Sequence, residues 1–286
     1  MFKQHTQAQK DCPKWMISSI QYEVVMGSFA YGVHNRDSDK DVYGFCIPSK
    51  LILFPHQIGG HIEGFGNRPQ GFDQFHKCYD DVDFTIFGIV KYFDLCVHNN
   101  PIMIDSLFVP DNCICHMTPI GEMVRENRHK FLCSKLWDTY KGYAYSQLRK
   151  LKNKDPNSGK RKELIDKYGF DTKFAYHIVR LIDYAEQLLQ FGDMDMQRDR
   201  ERWKSIRAGE WTLDQVESHF YEKEKTLQTL YENTSLPHDM QFDPIKELLL
   251  NCLEAHYGSL DKMVPRDTKA ETVLLEMQKV IDRFNI

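Results

Sequence analysis

The sequence predicts an α+β protein, with a small mixed-sheet domain over residues 1–118 followed by a helical domain over residues 119–286. Residues 17–47 alternate short apolar runs with glycine-rich or acidic turns, the pattern of strands joined by tight connections. From Pro119 onward the apolar residues recur almost wholly at helical spacing. Within that helical stretch the segment KNKDPNSGKRK, 152–162, is the clearest internal loop.

Taken in order, ISSIQYEVVMGS reads as a strand, FAYGVHNRDSDK as a turn and DVYGFCIP as a second strand. Residues 56–80 carry Gly59, Gly60, Gly64, Gly66, Pro69 and Gly71 without periodicity, which predicts a long loop or hairpin over a site. A third strand over 81–87 runs into a helix that reaches Val97 and is ended by Asn100 and Pro101. A further helix follows Thr172 and stops at Gly192, a residue suited to a left-handed C-terminal conformation. Thr212 with Gln215 forms a capping-box pattern ahead of residues 216–231, and Asp243-Pro244 opens a helix that Gly258 closes.

The chain has 286 residues, 42% of them hydrophobic and 27% charged, so it can bury the core of an enzyme and is not composed like a disordered protein. Its eight cysteines form no C-x-x-C pair, which points to reduced thiols in a cytoplasmic protein. Cys113, Cys115 and His116 lie close together, but the two-residue cysteine spacing is poor for tetrahedral zinc and no second ligand pair follows. The N-terminal MFKQHTQAQKDCPKW lacks an apolar signal core, and no stretch approaches the roughly 20 apolar residues that span a bilayer. A net charge of −4 gives no global pull toward nucleic acid, so any such binding needs a local basic patch.

The chemistry is concentrated in Gly27-Ser28-Phe29-Ala30-Tyr31-Gly32 and Ser38-Asp39-Lys40-Asp41-Val42-Tyr43-Gly44. Asp39 and Asp41 are two residues apart, so on an extended strand both carboxylates leave one face and can share metal ions. Two ions about 3.5–4 Å apart stabilise the attacking and leaving oxygens of an in-line displacement, and hard carboxylates suit magnesium or manganese. Gly27 and Ser28 let backbone N–H groups and a hydroxyl approach phosphate oxygens. Each dipeptide alone is common; their order, glycine-serine after one strand and D-x-D entering the next, carries the signal.

GSFAYGVHNRDSDKDVYG resembles the G-S-x-A-x-G…S-D-x-D signature of DNA polymerase β superfamily nucleotidyltransferases. DFTIFGIVKYFDLCVHNNPIMIDSL, 83–107, is similar to the D-x7-K…N-P-x3-E stretch of the YcgL-like and RNA-ligase-associated branches of bacteria and phages, with Asp105 where those proteins usually carry glutamate. The resemblance implies a polymerase β-like palm and a third strand carboxylate that completes the metal site. Asp83 falls at the matching position, with Asp80 and Asp81 as rivals because a run of acids leaves the register open. Lys91 matches the branch's lysine and implies a nucleotide contact; its plain alternative is a solvated helix lysine.

GFDTKFAYHIVRLIDYAEQLLQFG resembles the helical region of the same branch. By periodicity alone, Lys173, His177, Arg180 and Tyr184 form one stripe beside an apolar stripe of Phe174, Ile178, Leu181, Ala185 and Leu188. Such a stripe suits cations that reach across a cleft to a triphosphate, or it is a boundary of snorkelling side chains. Lys204 and Arg207 could supplement it, although their alternating-charge setting suits a salt-bridged helix surface.

The reading is therefore transfer of a nucleoside monophosphate from a nucleoside triphosphate to a hydroxyl, with release of pyrophosphate. Asp39, Asp41 and Asp83 hold two magnesium or manganese ions, and Gly27, Ser28, Lys91, Lys173, His177 and Arg180 hold the nucleotide. The resemblance favours an RNA end as acceptor, in RNA or tRNA repair, with Lys154, Lys160, Arg161 and Lys162 on its backbone. The alternatives are nucleotidylation of a protein hydroxyl, as in toxin and antitoxin systems, and a non-enzymatic nucleotide-binding module.

Overall fold

The computed structural model of the chain describes residues 12–36, 38–49, 73–79, 82–152 and 159–259, together with residue 277. A short helix α1 (Lys14–Ile17) leads into β1 (Ile20–Met26), and a four-residue turn of helix α2 (Gly27–Ala30) follows before β2 (Lys40–Cys46). Then come β3 (Gln74–Tyr79), β4 (Val82–Gly88), α3 (Ile89–Val97), α4 (Pro101–Leu107) and β5 (Ile114–Met117). The remainder is helical: α5 (Pro119–Glu126), α6 (Leu136–Lys152), α7 (Gly159–Tyr168), α8 (Thr172–Phe191), α9 (Arg200–Arg207), α10 (Leu213–Asn233) and α11 (Phe242–Tyr257). A mixed sheet followed by helices is what the sequence predicted.

The five strands form one sheet in the order β3-β4-β2-β1-β5. β2 and β4 run parallel and the other pairs antiparallel. Every residue of β1 is buried, as its near-continuous apolar run IQYEVVM requires of a strand covered on both faces. Tyr22, Val24, Met26, Phe45 and Phe87 pack in one core with the helices, including Ile178, Leu181 and Ala185 of α8. The opposite face carries Val25, Val42, Cys46, Phe84 and Ile86 against Met16 and Cys12.

The helix signals work as local chemistry dictates. The Asp171 carboxylate accepts from the backbone N–H groups of Lys173 and Phe174, and Gly192 closes α8 at φ 63°. Both bonds of the Thr212–Gln215 capping box are present at the start of α10.

Three segments differ from expectation. Asn100 and Pro101 not only end α3 but also start α4: the Asn100 side chain accepts from the N–H groups of Ile102 and Met103, and Pro101 sits at the first helical position, where it has no N–H to leave unsatisfied. Residues 159–162, read as loop, open α7. β3 agrees with the hairpin alternative for 56–80, whereas β5 was not anticipated; ICHM is too short to show a period, and its strand is fixed by pairing with β1. Most of the expected 56–80 loop lies outside the described residues.

Candidate active site

Strand pairing sets up one row of residues across the sheet. Met26, the last residue of β1, is the partner of Asp41; Asp41 is the partner of Asp83; and Asp83 is the partner of Cys78. Directly paired residues project from the same face, so Asp41 and Asp83 stand side by side. Asp80 and Asp81 lie outside the described residues. Asp39 precedes β2 and is exposed.

Gly27 turns the chain away from this row at φ 63°, and a Cβ built on it would lie 1.9 Å from Asp41 Oδ2. Only glycine suits a position with both constraints. Ser28 follows, half-buried, and its hydroxyl has no hydrogen-bond partner among the described residues. The Asp41 carboxyl is held above the ordinary aspartate value by burial, then by the charge of Asp83, with Lys173 pulling the other way and Asp39 adding to the rise. Lys173, exposed at the start of α8 and not among the cavity residues, thus acts on Asp41 from a distance.

Between this row and the helices is a cavity of about 480 Å³. Gly27, Asp41 and Tyr43 form its sheet side, and Tyr143, Gln147 and Lys150 of α6 with Phe174, His177 and Arg180 of α8 face them. His177 stacks on Tyr176 with ring centroids 4.3 Å apart. Arg180 is held from within the fold: it donates to Asp105 Oδ2 at 2.7 Å, and its guanidinium lies 3.8 Å from the Tyr31 ring centroid and 4.9 Å from that of Tyr184. Asp105 is wholly buried and also accepts from the hydroxyls of Tyr31 and Tyr140. Asp105 is therefore the counter-charge of Arg180.

Other predicted residues lie elsewhere. Lys91 pairs with Asp94 at 2.7 Å and is not among the cavity residues. Lys204 pairs with Glu201, while Arg207 donates to the Val33 carbonyl and lies over the Tyr176 ring. Lys154 is outside the described residues, the backbones of Lys160 and Arg161 fall in α7, and Lys162 is exposed. Lys152, at the end of α6, pairs with Glu217. Sequence reading missed Tyr143, Gln147 and Lys150 as a group. Their i, i+4, i+7 spacing marks one helix face, but an aromatic, an amide and a cation on a helix carry no distinctive signal.

A mixed sheet roofed by helices, with a glycine turn beside paired carboxylates on its inner strands, fits a nucleotidyltransferase of the polymerase β type. The chain belongs to the RlaP family, the RNA repair pathway DNA polymerase beta family, whose family model matches residues 2–229. That match takes in the whole sheet, the cavity and α8. No curated protein matches the chain. Among the described residues no helix is long and apolar enough to cross a membrane.

Proposed function

We propose that the chain transfers a nucleoside monophosphate from a nucleoside triphosphate to a hydroxyl at an RNA end, releasing pyrophosphate. The observation that carries this reading is the pairing of Asp41 with Asp83 beside Gly27, at the mouth of a cavity large enough for a nucleotide.

Asp39, Asp41 and Asp83 are a hard oxygen donor set that suits two magnesium or manganese ions. The fit is supported by Asp83 Oδ1, a buried oxygen with no hydrogen bond, and by the raised Asp41 carboxyl, a group whose ionised form lacks compensation. Bound ions would supply charge neutralisation at the phosphates. The chain's own residues do the rest. The Gly27 backbone and Ser28 hydroxyl receive the β and γ phosphates, Lys173 adds a positive charge, and the rings of Tyr43, Tyr143 and Phe174 border the nucleoside. The acceptor O–H attacks the α phosphorus, an oxygen–phosphorus bond forms as the bond to pyrophosphate breaks, and the proton passes to Asp83 and then to water. Positioning and electrostatics account for most of the rate in such transfers.

RNA as acceptor is supported by the family and by Lys150, which lines the cavity and precedes Lys154, Lys160, Arg161 and Lys162 in the sequence. The cysteines are thiols rather than disulfides, in keeping with a reducing, cytoplasmic setting. Incubation with labelled nucleoside triphosphates, magnesium, and either bulk RNA or bulk protein tests the reading. Label entering RNA supports it. Label entering protein alone would move the acceptor to a protein hydroxyl, and binding without transfer would make the chain a nucleotide-binding module.

A further inference from the structure

On the β3–β4 hairpin, three side chains of different chemistry meet beside the carboxylate row. Cys78 is paired with Asp83 and His76 with Thr85, so all four side chains leave one face. His76, Cys78 and Asp83 each offer a ligand atom, and these atoms lie within 4.8 Å of one another. We propose that His76, Cys78 and Asp83 form a site for a soft divalent ion of the zinc class, distinct in ligand chemistry from the hard-ion set of Asp39, Asp41 and Asp83.

The distances support one shared ion. Zinc–sulfur and zinc–nitrogen bonds of about 2.3 and 2.0 Å, at a tetrahedral angle, place the two ligand atoms about 3.5 Å apart. Cys78 Sγ and His76 Nε2 are 3.6 Å apart. With Nε2 toward the thiol, Nδ1 faces Thr85 Oγ1 at 2.8 Å, the outer contact that fixes the tautomer and angle of a metal-bound imidazole. Asp83 Oδ1, 3.2 Å from His76 Nδ1, is buried without a hydrogen bond and keeps a lone pair for an ion. His76 and Cys78 are both exposed, so an ion reaches them from solvent.

Ligand softness separates this trio from the hard set. Thiolate and imidazole select zinc, cobalt or copper(I), whereas magnesium prefers carboxylate and water. The S–H proton is released to solvent when the ion binds. Three protein ligands leave a fourth position for water.

Asp83 belongs to both sets. An ion held by His76 and Cys78 takes Asp83 away from Asp41, so zinc is an inhibitor of magnesium-dependent transfer. This consequence rests on the proposed function; the binding itself does not.

The test uses the full chain, kept reduced with a non-chelating phosphine and titrated with cobalt(II) as an optical stand-in for zinc. Expected are a thiolate-to-cobalt charge-transfer band saturating at one ion per chain, its displacement by zinc, its loss in Cys78→Ser, at least tenfold weaker binding in His76→Ala, and its retention in Asp39→Asn. Absence of the band, or its survival in Cys78→Ser, would overturn the site. In transfer assays, zinc should inhibit the wild type at concentrations that leave Cys78→Ser active, and equal inhibition of both would overturn the regulatory role. If no transfer is detected while the cobalt band appears as expected, the proposed function fails and the metal site stands. If transfer runs and the band is missing, the reverse holds.

Discussion

Asp41 and Asp83 are partners across the parallel β2–β4 pair, two carboxylates on one face with no cation fixed between them among the described residues. Like charges directly opposite on a sheet destabilise it, and burial of Asp41 adds to that cost. Ions bound as proposed would neutralise both carboxylates and offset that cost.

Asp41→Asn should therefore separate activity from stability. Transfer should fall by more than about a hundredfold, since ion-assisted charge stabilisation is worth several kcal/mol. The metal-free variant should be at least as stable as the wild type at neutral pH. Because the folded-state Asp41 value is raised, its ionised form opposes folding above the ordinary aspartate range, so the advantage of asparagine shrinks as pH falls into that range. Denaturant unfolding at several pH values, alongside transfer rates, checks both halves. Transfer within tenfold of wild type would remove Asp41 from the ion set.

Gly27→Ala should cost about 1–3 kcal/mol of stability from its left-handed backbone alone, and should lower transfer at least tenfold by displacing the Asp41 carboxylate. Gly142 in α6 is the control. A Cβ there meets nothing within 4 Å, so Gly142→Ala should leave stability unchanged or raise it by up to about 1 kcal/mol. Thermal unfolding of the two variants, with transfer measured on each, decides it. Equal behaviour would show that the close approach of Asp41 to Gly27 plays no part.

Much of this site was legible because its signals are local. Gly27-Ser28, the D-x-D pair and the caps of α8 and α10 each depend on a few neighbouring residues, and the sequence states them directly. The choice among Asp80, Asp81 and Asp83 was not legible, because strand register is set by cross-strand pairing rather than by the run of acids itself; the structure pairs Asp83 with Asp41. Arg180 shows the other limit. Periodicity set it at the margin of the apolar stripe, whereas it is buried in the core, and its partner lies 75 residues earlier in α4, a contact that no local pattern encodes. His76 and Cys78 stayed hidden because β3 falls in a glycine-rich stretch that reads as a loop or hairpin without periodicity.

The Arg180–Asp105 pair should behave as a buried couple. Arg180→Ala or Asp105→Ala should each destabilise the fold by about 3–5 kcal/mol, because either leaves an uncompensated charge in the core. Replacing both, with Arg180→Ala and Asp105→Ala in one chain, should cost less than the sum of the single changes. A double-mutant cycle by urea unfolding measures the coupling. Additive effects would mean that Arg180 is not held chiefly by Asp105, leaving its guanidinium available for phosphate.

Glu23 should give the chain a pH dependence unrelated to the transfer site. It lies in β1 between Gly44 of β2 and His116 of β5, is 4% exposed, and burial alone pushes its carboxyl from 4.5 to about 7. By strand alternation it shares a face with Val25, away from Tyr22 and Val24 and so away from the cavity side. A carboxyl whose folded value is raised binds its proton more tightly in the folded chain, so its effect on stability worsens as pH climbs from about 4.5 through about 7 and levels off above. The gap between the two values corresponds to about 3 kcal/mol at most. Glu23→Gln removes that titration while preserving size, so it should stabilise the chain at pH 8 relative to wild type, with the advantage fading toward pH 5. The buried amide has its own desolvation cost, which shifts the whole curve but not its slope. The slope difference is therefore the diagnostic quantity, read from urea unfolding of both proteins between pH 5 and 8. Parallel curves would show that Glu23 is ionised without penalty in the folded chain.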